Sequence, residues 1–245
     1  MADGVTADAE RFSKKPLYLQ LRDVLVERIA TGDWKPGDAI PNESNLAREF
    51  GVSAGTMRKA LDLMEAERLL TRRQGRGTFV NDQTSDKLAL RFTNVRAANG
   101  QLPEGDIKVA HVVEAAAGED ECWRLQLGPR DRVYRIQRTW LHKGDPIMFA
   151  QVVVPAAHFP GLEAATEAAS RITGLAQRYG VLLGRAEERL SIGPAGDAVA
   201  AALAVAPGTP VMMLDRVVHA LDGRPVEWRV GWCHFADKYY RAVLG

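Results

Sequence analysis

Apolar residues recur at helical spacing three times within the first seventy positions. Leu17, Leu21, Val24, Leu25 and Ile29 form one stripe and predict a helix from Leu17 to Thr31, begun by Pro16 and ended by Gly32. Leu46, Ala47 and Phe50 mark a second, short helix after Pro41, with Asn42 as N-cap, Glu43 in the first turn and Gly51 as the stop. Met57, Ala60, Leu61 and Met64 mark a third, capped by Ser53. Trp34, beside the Pro36-Gly37 turn, is expected to rest on the first helix. The period then falls to two. Leu69 to Thr71 and Thr78 to Val80 read as a hairpin whose tip is Gln74-Gly75-Arg76-Gly77.

Residues 1–15 lack this periodicity and read as a flexible leader, and the polar stretch 82–87 reads as a linker after a first domain over 16–81. Across 88–245 the pattern changes. Strand-like runs occur at Val109–Val113, Val133–Leu141, Ile147–Val154, Glu187–Ile192, Val211–Leu221 and Val226–Cys233. Lys143-Gly144-Asp145-Pro146 and Asp222-Gly223-Arg224-Pro225 each join two runs as a hairpin, and their likeness points to an internal pseudo-repeat. Glu119–Leu125, Thr166–Tyr179 and Asp197–Leu203 read as helices. The expected fold class is α+β: a winged helix-turn-helix, then an antiparallel sheet with helices.

A net charge of +1 carries no global nucleic-acid signal, so charge matters here only locally. From Arg68 to Val80 the chain holds Arg68, Arg72, Arg73 and Arg76 and no acid. A groove-binding helix works through its N-terminal end, which here offers Ser53, Gly55, Thr56, Arg58 and Lys59. Arg58 has the fork to grip guanine or phosphate through two bonds. Gly55 inside a helix costs about 1 kcal/mol against alanine, and a close backbone approach to DNA would account for it. In the hairpin, Arg73, Gln74, Gly75, Arg76 and Gly77 suit the minor groove or the flanking backbone. The bland alternative is a helical domain with a solvated basic hairpin; the order and spacing of the features favour double-stranded DNA.

Other chemistry is thin. The apolar content of 46% and charged content of 26% are ordinary and leave a core for each half. Cys122 and Cys233 stand far apart with no CxxC, so a reducing cytoplasm is expected. The N-terminus lacks the apolar run of a signal peptide, and Ala198–Leu214 is broken by Pro207, Gly208 and Pro210, so no membrane partner is expected. The five histidines have no metal-ligand spacing, and no P-loop, dinucleotide fingerprint or nucleophile elbow occurs. No metal, cofactor or catalytic residue is expected.

Leu17-Tyr18-Leu19-Gln20-Leu21, Gly32-Asp33-Trp34-Lys35-Pro36-Gly37, Phe50-Gly51-Val52-Ser53 and the run Arg72 to Val80 resemble the DNA-binding domain of GntR-family bacterial transcription regulators. The chain departs from that family at Ser44 and Ala54, where arginines that commonly touch DNA usually stand. That departure implies an altered operator, or weaker contact offset by the wing. Arg138 to Pro155, Phe159-Pro160-Gly161-Leu162, Arg178-Tyr179-Gly180, Pro207 to Val211 and Gly223 to Glu227 resemble the UTRA effector domain of the HutC-like branch, which has a chorismate-lyase-like fold.

The resemblance implies a pocket at Arg138, Glu227 and Arg91-Phe92-Thr93, with Trp140, Trp228 and Trp232 around it. The alternative is that Arg138 and Glu227 form only a structural ion pair. Sugar-phosphate binders of the family tend to have a second arginine and a glutamate where this chain has Trp140 and Ala150. A small carboxylate or an aromatic anion therefore fits better. The function implied is a repressor that binds a palindromic operator as a homodimer and is released by a small polar or anionic metabolite. A lyase-like enzyme tethered to DNA and a ligand-independent scaffold are the rivals.

Overall fold

The computed structural model describes residues 15–81 and 92–242, and the chain divides into two compact units, residues 1–83 and 84–245. Leader residues 1–14, the expected linker 82–87 and Arg91 lie outside the described residues.

The first unit comprises α1 (Leu17–Ala30), α2 (Glu43–Glu49), α3 (Ala54–Ala66), β1 (Leu70–Arg73) and β2 (Gly77–Val80). Both expected caps form: Asn42 accepts from the Asn45 amide and Ser53 from the Thr56 amide. Met57, Ala60, Leu61 and Met64 are buried, as their spacing requires. The first helix differs from its expected stripe. Leu17 and Val24 are 55% and 44% exposed, and Arg22 is buried in their stead. Its guanidinium donates to both carboxylate oxygens of Glu67 (2.9 and 2.6 Å) at the end of α3, and to Asp23 (2.9 Å). Burial opposes the charge on Arg22, but the bonds from Glu67 and Asp23 outweigh it and raise its pKa. A stripe drawn from hydrophobicity alone cannot find a core position held by an ion pair.

The hairpin strands run further than their apolar residues indicate, with Arg73 paired to Gly77 and the turn confined to Gln74, Gly75 and Arg76. The segment Asp38–Ile40 joins β2 through Ile40 N–H to Thr78 O and Val80 N–H to Asp38 O, both 2.9 Å, which ties the wing to the α1–α2 connection. Arg28 of α1 lies over Trp34 (5.4 Å) and Phe50 (4.8 Å) and joins both rings to the first helix.

The second unit is built on a six-stranded antiparallel sheet. Its elements are β3 (Val95–Ala97), β4 (Ile107–Ala116), α4 (Glu119–Leu125), β5 (Arg132–His142), β6 (Asp145–Pro155), α5 (Ile172–Tyr179), β7 (Leu183–Pro194), α6 (Asp197–Leu203), β8 (Pro210–Ala220), β9 (Pro225–Cys233) and β10 (Lys238–Tyr240). The sheet order is β4-β5-β6-β9-β8-β7, and β3 and β10 pair separately. The edge strands β4 and β7 outrun the expected segments because much of their length faces water and shows weak apolar alternation. The expected helix Thr166–Tyr179 is instead a 3₁₀ segment, Thr166–Ser170, followed by α5. Arg171 between them is extended (φ −141°, ψ 148°) and breaks the hydrogen-bond ladder.

The pseudo-repeat extends well beyond the hairpins. β4-α4-β5-β6 and β7-α6-β8-β9 have the same order and nearly the same caps. Gly118 and Gly196 open the two helices in extended geometry, and Gln126 and Ala204 close them in the left-handed region at φ 54°. At the centre of the sheet Ala150 faces Gly231 and Val152 faces Arg229. A local two-fold axis through the Gln151–Val230 pair therefore exchanges the halves, carrying Arg138 onto Arg216 and Ala150 onto Arg229. One face of the sheet is buried beneath Phe159, Leu162 and α5. The other carries α4 against Val133 and Val153, and α6 against Phe149 and Val211. Among the described residues no helix is long and apolar enough to cross a membrane.

Gly105 leads into β4 at φ +157°, where an added Cβ would meet the Leu141 carbonyl oxygen at 1.8 Å. Gly105→Ala is expected to destabilise the second unit by about 2 kcal/mol or more. Urea unfolding followed by tryptophan fluorescence checks this; an unchanged midpoint contradicts it.

Candidate functional site

Two regions gather the chemistry, one in each unit. In the first, α3 presents its N-terminus. Ser53 Oγ accepts from the Thr56 amide (3.1 Å) and lies 2.9 Å from the Thr56 hydroxyl, so both side chains serve the cap. A Cβ at Gly55 would meet only Ser53 Oγ, at 3.9 Å. Among the described residues nothing requires glycine there. Lys59 is exposed, with no ion pair or hydrogen bond among the described residues. Arg58 differs from expectation. Its Nε and one terminal nitrogen donate to the two carboxylate oxygens of Glu43 (3.1 and 2.8 Å), and this partner raises its pKa. The fork expected for guanine is occupied by a carboxylate of α2, and Glu43, read from the sequence only as a first-turn acid, belongs to the surface.

The wing's charges are held unequally. Asp62 and Glu65 of α3 bind Arg72 (2.5 and 2.8 Å), while Arg73 lies over the Phe79 ring at 4.7 Å. Arg76 stands exposed at the tip beside Gln74, between Gly75 (φ +69°) and Gly77 (φ +110°). Both glycines occupy backbone that side chains rarely adopt, so the tip is slim as well as charged. Gly77 itself belongs to β2, and only its neighbours form the turn.

In the second unit a cavity opens between the buried sheet face, the segments 92–95 and 170–173, and Tyr240. Arg138 and Glu227 meet there at 2.9 Å, both buried. Their pairing is incomplete: Arg138 Nε and its other terminal nitrogen, Glu227 Oε1 and the Trp140 indole nitrogen are buried without hydrogen-bond partners. A purely structural ion pair satisfies its atoms, because each unmet buried polar group carries a desolvation penalty. Burial lowers the pKa of Arg138, and Glu227 partly offsets this. Phe92 and Thr93 line the cavity as expected, and Arg91 lies outside the described residues.

Five further groups line the cavity that sequence reasoning missed: Asn94, Glu188, Arg216, Arg229 and Tyr240. Arg216 donates to the Phe92 carbonyl and lies 3.8 Å from Glu188. Arg229 donates to the same Glu188 oxygen at 3.0 Å. The Tyr240 hydroxyl donates to the other oxygen of Glu188 (2.5 Å) and accepts from Asn94 (2.7 Å). Burial first, and Arg229 next, push Arg216 down to about 10. The available signal was parity: Arg229 stands two residues after Glu227 on one strand and must share its face.

The same parity corrects two expected residues. Trp228 and Trp232 point to the opposite face from Glu227. The Trp228 indole donates to Asp215 (2.9 Å) beneath Arg124, and Trp232 stacks on Phe149 with ring centres 5.9 Å apart. The aromatic walls of the cavity are Phe92, Trp140 and Tyr240, with Arg171 placed 5.8 Å over the Trp140 ring. Among the described residues no three metal-ligating side chains gather.

Residues 17–80 match the model for bacterial regulatory proteins of the gntR family, and residues 104–239 match the UTRA domain. The chain belongs to the GntR family, in the HutC-like branch that carries a UTRA domain. It is 34% identical over 149 residues to the mannosyl-D-glycerate transport/metabolism system repressor MngR of Escherichia coli K12, covering 60% of this chain and 62% of that one. It is 30% identical over 148 residues to the histidine utilization repressor of Pseudomonas putida, covering 59% of each. These matches thus span about three-fifths of each relative. The ligand-binding domain of a Bordetella bronchiseptica protein described as a GntR-family regulator superposes with a TM-score of 0.59 at 26% identity, covering 63% of this chain and 98% of that one. PhnF of Mycobacterium smegmatis shares the fold over 94% of this chain and 99% of its own (TM-score 0.52, 21% identity).

Glu43 both neutralises Arg58 and would repel phosphate. Glu43→Gln is expected to tighten binding to random-sequence duplex DNA and to steepen the log–log salt dependence by about 0.9. Fluorescence anisotropy at graded salt reads both; a loss of affinity would mean that Glu43 aims Arg58 rather than masks it.

Proposed function

We propose that this chain is a ligand-responsive transcriptional repressor. The N-terminal end of α3 and the wing tip hold it on operator DNA, and a small anion entering the second unit's cavity releases it. The observation that carries this reading is a buried Arg138–Glu227 pair with unmet donors and an unmet acceptor facing a cavity, in a chain that also carries a winged helix. The effector is a small carboxylate or an anion with an aromatic part, since Trp140 and Phe92 supply ring surface beside the guanidinium. Both named relatives are repressors, which supports repression over activation. The boundaries 16–81, 82–87 and 88–245 serve as DNA module, linker and effector domain.

The protein acts in the cytoplasm as a homodimer on a palindromic site, because two-fold protein symmetry reads two-fold DNA symmetry. Val113, Leu190 and Ile192 on the edge strands of the second unit remain exposed and supply apolar surface for such a contact. The enzyme reading has no observation in its favour, since the matched families are regulators. A ligand-independent scaffold would leave the unmet atoms of Arg138 and Glu227 without a purpose.

The test uses a duplex selected by the protein from a random pool. An effector that meets this reading lowers operator affinity by roughly 5- to 150-fold, and operator lowers effector affinity by the same factor. Arg138→Met is expected to keep operator binding and lose release. If that variant is released normally, the cavity is not the effector site.

A further inference from the structure

The cavity of the second unit makes different demands at its two ends. At one end Arg138 and Glu227 hold each other one to one, and what they leave unmet is mixed: Arg138 Nε and a terminal nitrogen can donate, and Glu227 Oε1 can accept. At the other end Arg216 and Arg229 stand directly opposite each other across the β8–β9 ladder. Among the described residues Glu188 is the one carboxylate within ion-pair distance of either, and it serves both, at 3.8 and 3.0 Å. Both Glu188 oxygens are already taken, by Arg229 and Tyr240, while Arg216 Nε and Arg229 Nε are buried without hydrogen bonds. This end is left with donors only.

The sheet supplies its own comparison. The local two-fold carries Arg138 onto Arg216, but the residue opposite Arg138 is Ala150. Arg138 thus has a carboxylate to itself and no like charge across the ladder, whereas Arg216 shares its carboxylate with the guanidinium it faces. Like charges directly opposed destabilise a sheet, and burial strengthens the repulsion. A negatively charged, acceptor-only group seated between the two relieves that repulsion and meets both free donors.

We propose that the Arg216–Arg229 pair is the acid-binding end of the effector site, and that Arg138 and Glu227 read an uncharged group that both accepts and donates. This rests on the cavity being the effector site. A carboxamide meets the second demand in full, since its oxygen accepts from Arg138 and its nitrogen donates to Glu227 Oε1. An acid at that end would meet Glu227 as a like charge. Glu227 and Arg229 are alternate residues of β9, so their Cα atoms lie about 7 Å apart, and a short chain joins the two groups of the ligand. Arg229 is then the residue that selects for an acid, and Glu227 the residue that selects for a donor.

The full-length protein is titrated by calorimetry with three probes of one shape. Succinamate carries an acid and an amide, succinamide replaces the acid by a second amide, and levulinate replaces the amide nitrogen by a methyl group. Succinamate is expected to bind roughly tenfold or more tighter than either of the others. In Arg229→Met its advantage over succinamide is expected to vanish, while the melting temperature without probe stays level or rises because the opposed charge is gone. Arg229→Gln, which keeps a polar side chain in place, is expected to behave alike, and Arg229→Lys to restore part of the preference for the acid. In Glu227→Gln the advantage over levulinate falls and the preference for the acid stays. The proposal is overturned if succinamate fails to exceed both other probes or does not bind, or if the preference for the acid survives in Arg229→Met; its loss in Arg138→Met instead would seat the acid on Arg138. Probe binding unchanged by both Arg138→Met and Arg229→Met would overturn the assignment of the cavity as the effector site.

Discussion

Three arginines stand on the buried face of one sheet, and the second unit is arranged around keeping them there. A guanidinium taken out of water demands a counter-charge and acceptors for five N–H groups. Glu227 answers Arg138, Glu188 answers Arg216 and Arg229 together, and the Phe92 carbonyl takes one more bond from Arg216. Tyr240 and Asn94 fix Glu188 in turn, which draws β10 and the residues before β3 onto the same cluster. The small separate ladder of β3 and β10 thus closes over charge, while the apolar core lies further along the sheet beneath α5.

The winged-helix unit treats arginine in the opposite way. Arg58 and Arg72 are paired with acids at the surface, where water and salt weaken the attraction and a competing phosphate can displace it. Among the described residues of this unit Arg22 alone is paired in the interior, and it fastens α1 to the end of α3. A surface pair that opens readily suits a face that must meet a polyanion. A buried pair suits the frame that presents that face.

What could be read from the sequence was whatever local stereochemistry dictates. Asn42 and Ser53 cap helices because their side chains reach the free amides, and the apolar stripe of α3 is buried because its spacing leaves it no other face. Both hairpins of the large sheet fall at their glycine-proline turns. The arginines that were missed share a cause, which is charge in places where apolar residues are expected. Arg22 displaced Val24 from the core because Glu67, distant in sequence, compensates it. Arg216 and Arg229 went unnoticed inside apolar strands for the same reason. Trp228 and Trp232 were placed by resemblance against the alternation of their own strand, and the alternation prevailed. Thr166–Tyr179 has helical composition throughout, but Arg171 is extended and splits it.

The duplication within the sheet has an evolutionary consequence. Two equivalent half-sites that share one cavity can diverge separately, because the framework that supports each is repeated. Ala150 and Arg229 occupy the same place in their respective halves, one neutral and one charged. A lineage can therefore move charge from one half to the other by single substitutions while helices, turns and strand register stay fixed. Ligand preference in such a protein is free to drift faster than its architecture.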